Sequence, residues 1–177
     1  RVRFSNEFGT APMTIASARI ALTEEGSKIR MATDRALTFG GSSKITIPAG
    51  APAFSDPVDI SVKPFAEVSI SIYLPGPAPA SSIHDQALHD SYISGPGDLT
   101  SKAELPGAEA KQTWYFLSGI DMAAPAGNAT IVAFGDSITQ GYGAKSATYI
   151  DYPTQLAQRL AAHGITSLAV VNQGISG

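Results

Sequence analysis

Apolar residues recur at every second position through the first 122 residues and then change their spacing, so this chain cannot fold as one uniform layer. Val2 and Phe4 alternate with Arg1 and Arg3, and Ile45 and Ile47 with Lys44 and Thr46. Val58, Ile60 and Val62 skip polar positions, as do Val68, Ile70, Ile72 and Leu74. A period of two places alternate side chains on one face, the pattern of a half-buried strand. Between these runs lie Phe39-Gly40-Gly41-Ser42-Ser43, Pro48-Ala49-Gly50-Ala51-Pro52 and Pro75-Gly76-Pro77-Ala78-Pro79, breaker clusters that supply turns and would interrupt any helix. Short strands at turn-punctuated intervals predict a β-sandwich of jelly-roll type over residues 1–122, with Trp114 to Ile120 as its last strand.

Residues 123–128, which include Ala123-Ala124-Pro125-Ala126-Gly127, form a small-residue, Pro/Gly connection that reads as a linker. From 129 to 177 the grammar differs. The apolar run from Thr130 to Phe134 predicts a buried strand. Pro153 to Gly164, with Leu156, Leu160 and His163 on one stripe, Pro at the start and Gly at the end, predicts an amphipathic helix. Ser167 to Val171 is again a strand. Strand, helix, strand is the opening of a parallel sheet. One such unit is too little for a stable parallel sheet, so the expected fold class is a two-domain α+β chain whose second domain is truncated. The chain opens at Arg1 with neither an initiator methionine nor a signal peptide, and its start is expected to be internal.

Gly135-Asp136-Ser137-Ile138 follows the first of these strands directly, with Gly141 and Gly143 beyond it. A serine hydroxyl is a poor nucleophile until a base takes its proton, and it works best at a strand end beside free main-chain N–H groups. Thr139 stands where the α/β-hydrolase elbow Gly-x-Ser-x-Gly requires its second glycine, which argues against that elbow. The block instead resembles the first block of the GDSL or SGNH hydrolase superfamily. A second block, a strand ending in Asn and then a glycine turn, matches Asn172 to Gly177. The segment from Arg1-Val2-Arg3-Phe4-Ser5-Asn6-Glu7-Phe8-Gly9 through Trp114-Tyr115-Phe116-Leu117-Ser118-Gly119 is similar to the β-domain that precedes the catalytic domain in a group of bacterial GDSL-type esterases.

This resemblance implies an SGNH-type parallel-sheet domain with Ser137 as nucleophile, supported by Asp136 and Asn172. It further implies an oxyanion hole formed by the Ser137 and Gly177 N–H groups with an asparagine of a third block, and a C-terminal Asp-x-x-His that supplies orienter and base. Neither that asparagine nor the Asp-x-x-His occurs here, because no Asp stands three positions before His84, His89 or His163. The 177-residue chain alone is therefore expected to be a poor esterase. The remainder of the catalytic domain would come from a longer chain or a second chain.

Other motifs point elsewhere and fail. Gly141-Tyr142-Gly143-Ala144-Lys145-Ser146 has Ala144 where a phosphate-binding loop needs Gly before Lys-Ser, and it lacks the third glycine of a dinucleotide fingerprint. His84-Asp85 and His89-Asp90 place adjacent side chains on opposite faces of an extended chain, so no metal and no cofactor are expected. His163, at a helix C-terminus, suits the helix dipole. A net charge of −3 without a Lys/Arg cluster disfavours nucleic acid, and no apolar run is long enough to span a membrane. The absence of cysteine is compatible with either side of a bacterial inner membrane; a secreted or periplasmic location is expected. The leading expectation is a serine carboxylic ester hydrolase acting through an acyl-enzyme on a small-molecule or carbohydrate ester, either an acetylated carbohydrate or a short acyl ester. The alternative is a carbohydrate-binding or interaction β-module carrying an incomplete hydrolase segment, with Trp114 and Phe116 sharing one strand face.

Overall fold

A computed structural model describes residues 1–176, and the chain divides into two compact units, Arg1–Met122 and Ala123–Gly177. The first unit is β-rich. Its strands are β1 (Val2–Ser5), β2 (Met13–Ile15), β3 (Ser17–Glu25), β4 (Lys28–Ile29), β5 (Arg35–Ala36), β6 (Ile45–Ile47) and β7 (Pro52–Phe54), followed by β8 (Val68–Tyr73), β9 (Ile83–Asp85), β10 (Ser91–Ile93), β11 (Glu109–Lys111), β12 (Thr113–Tyr115) and β13 (Leu117–Ile120). β1 pairs antiparallel with β13 and β7, and β3 pairs with β4, β5 and β8. β2–β6, β9–β12 and β10–β11 are separate antiparallel pairs. Alternate residues Val2 and Phe4 of β1, Met13 and Ile15 of β2, and Ala18 and Ile20 of β3 converge with Leu37, Ile47, Ala53 and Phe116 on one apolar core.

Two segments depart from the pattern of their sequence. Val58 to Val62 alternates like a strand but belongs to none. Pro57 and Pro64 flank it and have no N–H to donate to a ladder, while Val58 and Ile60 still pack against the core. The run from Trp114 to Ile120 is two strands, not one. Phe116 sits between them at φ 59°, a left-handed conformation that is costly for a bulky residue. Its N–H donates to Ser82 O (2.8 Å), its carbonyl accepts from Ser5 N–H (2.9 Å), and its ring is buried in the core. The kink transfers the chain from the β9 pairing to the β1 pairing, and it removes the regular alternation that would have put Trp114 and Phe116 on one face.

Asn6, only 3% exposed, ties the turns around β1 together. Its Nδ2 donates to Ala11 O (2.9 Å), Ile47 O (3.1 Å) and Pro48 O (3.0 Å), and a Cβ at Gly9 would fall 1.9 Å from its Oδ1. Three carbonyls lose their donor in Asn6→Ala. The expected cost is about 3 kcal/mol, since a single stranded buried acceptor already costs about 1–3 kcal/mol. Urea unfolding followed by Trp114, the single tryptophan, should show a lower midpoint at unchanged slope; an unchanged midpoint would refute the assignment.

Two carboxylates make the same unit acid-sensitive. Asp56 accepts from Gly41 N–H (2.8 Å), Thr38 Oγ1 (2.7 Å) and Gly40 N–H (3.0 Å), and these bonds hold its pKa below the ordinary range. Asp98 is held low chiefly by the Thr100 hydroxyl (2.7 Å), with the Thr100 N–H (3.0 Å) adding to it. Unfolded aspartate titrates near about pH 3.9. With the folded pKa depressed, the unfolded chain binds more protons as pH approaches that point, so this stabilisation is complete above about pH 5 and is lost as pH falls through the folded values. The urea midpoint should be flat from about pH 7 to 5 and then drop. Asp56→Asn combined with Asp98→Asn should flatten the acid limb, and an equally steep limb in that double variant would contradict the assignment.

The second unit consists of β14 (Ala129–Gly135), α1 (Ser137–Gln140), α2 (Tyr152–Ala162) and β15 (Leu168–Gly174). β14 and β15 are parallel, paired from Ala129↔Leu168 to Gly135↔Gly174. α2 begins at its N-cap Asp151, whose Oδ1 accepts from Thr154 N–H (3.0 Å), and it packs against β15. One sheet face, with Ile131, Ala133, Leu168 and Val170, is covered. The other is open, and Val132 and Phe134 (83% exposed) stand on it. β14 is therefore not buried on both faces, the condition that a continuous apolar run in a parallel strand usually signals. No helix among the described residues is long and apolar enough to cross a membrane.

Candidate active site

Ser137 is the first residue of α1, immediately past the C-terminal end of β14. The turn forms because Asp136 takes an extended conformation and its Oδ1 accepts from Ile138 N–H (3.0 Å), an N-cap. It ends one turn later because Gly141 adopts φ 113°, in the left-handed region that glycine tolerates. Gly141 N–H (3.0 Å) and Tyr142 N–H (2.7 Å) both donate to Ser137 O.

Two glycines opposite each other in the parallel ladder let this turn lie directly on the strand ends. A Cβ at Gly135 would fall 2.2 Å from Thr139 Oγ1, and one at Gly174 would fall 2.1 Å from the Gln140 main-chain nitrogen. The threonine that replaces the second elbow glycine thus fills the space that Gly135 leaves. Thr139 is buried, with its hydroxyl 3.4 Å from Tyr152 OH on α2.

Asn172, on β15, joins three pieces. Its Nδ2 donates to Thr139 O (2.9 Å) and Gln140 O (3.3 Å) and lies 3.4 Å from Asp151 Oδ1, while its Oδ1 accepts from Gly174 N–H (2.9 Å). Ile175 N–H donates to Gly135 O (3.0 Å), and Ser176 N–H to Gln140 Oε1 (2.8 Å). Ser137, Asp136 and Asn172 therefore share one corner of the second unit. Gly177, expected to contribute an oxyanion donor, lies outside the described residues.

Among the described residues, no group hydrogen-bonds the Ser137 hydroxyl or its N–H. His163 is the C-cap of α2 and lines an open groove with Tyr152, Leu156 and Leu160. α2 starts at Asp151 beside Asn172 and runs back along the sheet, so His163 lies at the opposite end of a helix roughly 16 Å long. His84 belongs to the first unit, where its ring packs against Trp114 (5.8 Å between centroids) across the β9–β12 pair. No cluster of three or more His, Cys, Asp or Glu among the described residues could hold a metal ion.

Gln140 and Asp151 also meet in this corner, and neither belongs to a motif read from the sequence. Asp151 had a signal, an acidic residue just ahead of a helix that carries Pro153 in its first turn. Gln140 had none, since its partner Ser176 lies 36 residues away. No protein-family model matches this chain, and no curated protein matches it.

Proposed function

We propose that the second unit is the nucleophile-bearing part of an SGNH-type serine ester hydrolase, and that the first unit is a β-sandwich whose layers are the β1-centred and β3-centred sheets. The observation that carries the hydrolase reading is the seating of Ser137: a serine at the C-terminal end of a parallel strand, on a capped one-turn helix that two facing glycines admit onto the sheet. Its hydroxyl and N–H are uncommitted among the described residues. Strand ends of parallel sheets are where substrates of such folds bind.

In the reaction, Ser137 Oγ attacks the ester carbonyl carbon while its proton passes to a general base. The tetrahedral intermediate collapses to an acyl-enzyme as the alcohol leaves with that proton, and water then releases the acid. The Ser137 N–H contributes to oxyanion stabilisation. The general base must come within hydrogen-bond reach of Ser137 Oγ, and His163, the histidine of the second unit, stands at the far end of α2. The substrate is an acyl ester, carried on a carbohydrate or a small alcohol.

The test is covalent labelling by an alkyl fluorophosphonate of the polypeptide translated from the complete reading frame around this sequence. A phosphonate adduct mapped by mass spectrometry to Ser137 is expected. Labelling elsewhere, or none in an enzyme that hydrolyses p-nitrophenyl acetate, would refute the assignment.

A further inference from the structure

We propose that Gln140 and Asn172 form a reciprocal amide clasp that fixes the turn after β15 against α1, and that both are positioning residues for ester hydrolysis, resting on the serine-hydrolase reading of Ser137. The clasp runs in both directions. Asn172 reaches from β15 to the α1 carbonyls of Thr139 (2.9 Å) and Gln140 (3.3 Å), and Gln140 reaches from α1 to the main-chain N–H of Ser176 (2.8 Å). Gln140 is 8% exposed, so its carboxamide is held inside the corner and not in solvent.

The consequence is geometric. The β14–β15 ladder ends at Gly135↔Gly174. Beyond it, the main chain is tied at Ile175 N–H by Gly135 O and at Ser176 N–H by a side chain three residues after the nucleophile. The separation between Ser137 and that turn is therefore set by the Gln140 side chain as well as by sheet pairing. Main-chain donors aimed at a developing oxyanion stabilise it only when they are fixed in advance, and a displacement of about 1 Å costs about 10²-fold in rate. A side chain that holds α1, and with it the Ser137 N–H, against this turn should act on turnover more than on substrate binding.

Three substitutions separate the contributions. Gln140→Met removes the acceptor at similar volume, and Gln140→Glu keeps it. Asn172→Asp keeps the bond from Gly174 N–H but replaces a donor by an acceptor facing two carbonyls and Asp151. Hydrogen exchange at the Ser176 amide, read by NMR, should accelerate at least about tenfold in Gln140→Met and recover in Gln140→Glu, since exchange of a bonded amide requires its opening. In the polypeptide from the complete reading frame, kcat and the rate of fluorophosphonate labelling at Ser137 should fall about 10- to 100-fold in Gln140→Met and Asn172→Asp, with KM little changed and most of the loss restored by Gln140→Glu. Unaltered Ser176 exchange in Gln140→Met would show that the clasp does not exist. Faster exchange with full kcat and labelling would show that it does not position the site. A wild type never labelled at Ser137 would refute the hydrolase reading, and the positioning role with it, whatever the exchange data show.

Discussion

Ser137→Ala is expected to lower ester turnover by about 10⁴- to 10⁶-fold in the polypeptide from the complete reading frame, the range found when a hydrolase nucleophile is removed. The residual rate would come from substrate binding and oxyanion donors alone. Folding should be almost untouched. The substitution deletes one oxygen from a half-buried side chain with no described hydrogen-bond partner, and Ala favours the helical conformation of α1 more than Ser does. A stability change within about 0.5 kcal/mol follows, as for surface positions free of specific contacts. The measurement is p-nitrophenyl acetate hydrolysis beside a thermal melt. Wild-type turnover in a variant with the wild-type melt would remove Ser137 from the mechanism, whereas lost turnover with a lowered melt would point to a packing role.

Local signals made part of this molecule legible. The period-two runs at Val68–Leu74 and Ile45–Ile47 correspond to β8 and β6, and Pro153 and Gly164 bracket α2 because each satisfies a terminal requirement of a helix by itself. The Ser137 turn could be seen for the same reason: Asp136 caps two residues on, and Gly141 closes one turn later. What stayed hidden depends on partners distant in sequence. Val58 to Val62 alternates correctly but meets no neighbouring strand, and β-structure requires one. Phe116 breaks its strand through bonds to Ser82 and Ser5, 34 and 111 residues away, neither of which its neighbours reveal. At the site, Asn172 was visible as the asparagine that follows an apolar strand ahead of a glycine turn, but its role is defined by carbonyls 32 and 33 residues earlier. Gly135 and Gly174 each looked like turn glycines; that they face each other follows from the register of β14 on β15.

That register makes Gly174 the position in the second unit where adding a single carbon should do most damage. Its φ is not in the left-handed region, so the penalty for a side chain is purely steric. A Cβ there would lie 2.1 Å from the Gln140 nitrogen, 2.7 Å from its Cα and 2.6 Å from the Thr139 carbonyl carbon. These are main-chain atoms and cannot rotate away. Either α1 lifts from the strand ends or β15 slides, and both movements strain the Asn172 bonds to Thr139 O and Gln140 O and the Ile175 bond to Gly135 O. Gly143 offers the opposite case: it sits at φ 82° with nothing within 4 Å of its Cβ direction, so Gly143→Ala meets backbone strain alone, about 1–2 kcal/mol. Gly174→Ala should cost at least the upper end of the about 1–3 kcal/mol typical of overpacking, because the obstruction is backbone and not a side chain. Amide exchange across β15 and α2 should therefore show far greater loss of protection in Gly174→Ala than in Gly143→Ala, with Ser137 labelling lost alongside it. Equal protection in the two variants would mean that α1 does not rest on Gly174, and the seating of the nucleophile would have to be rebuilt from other contacts.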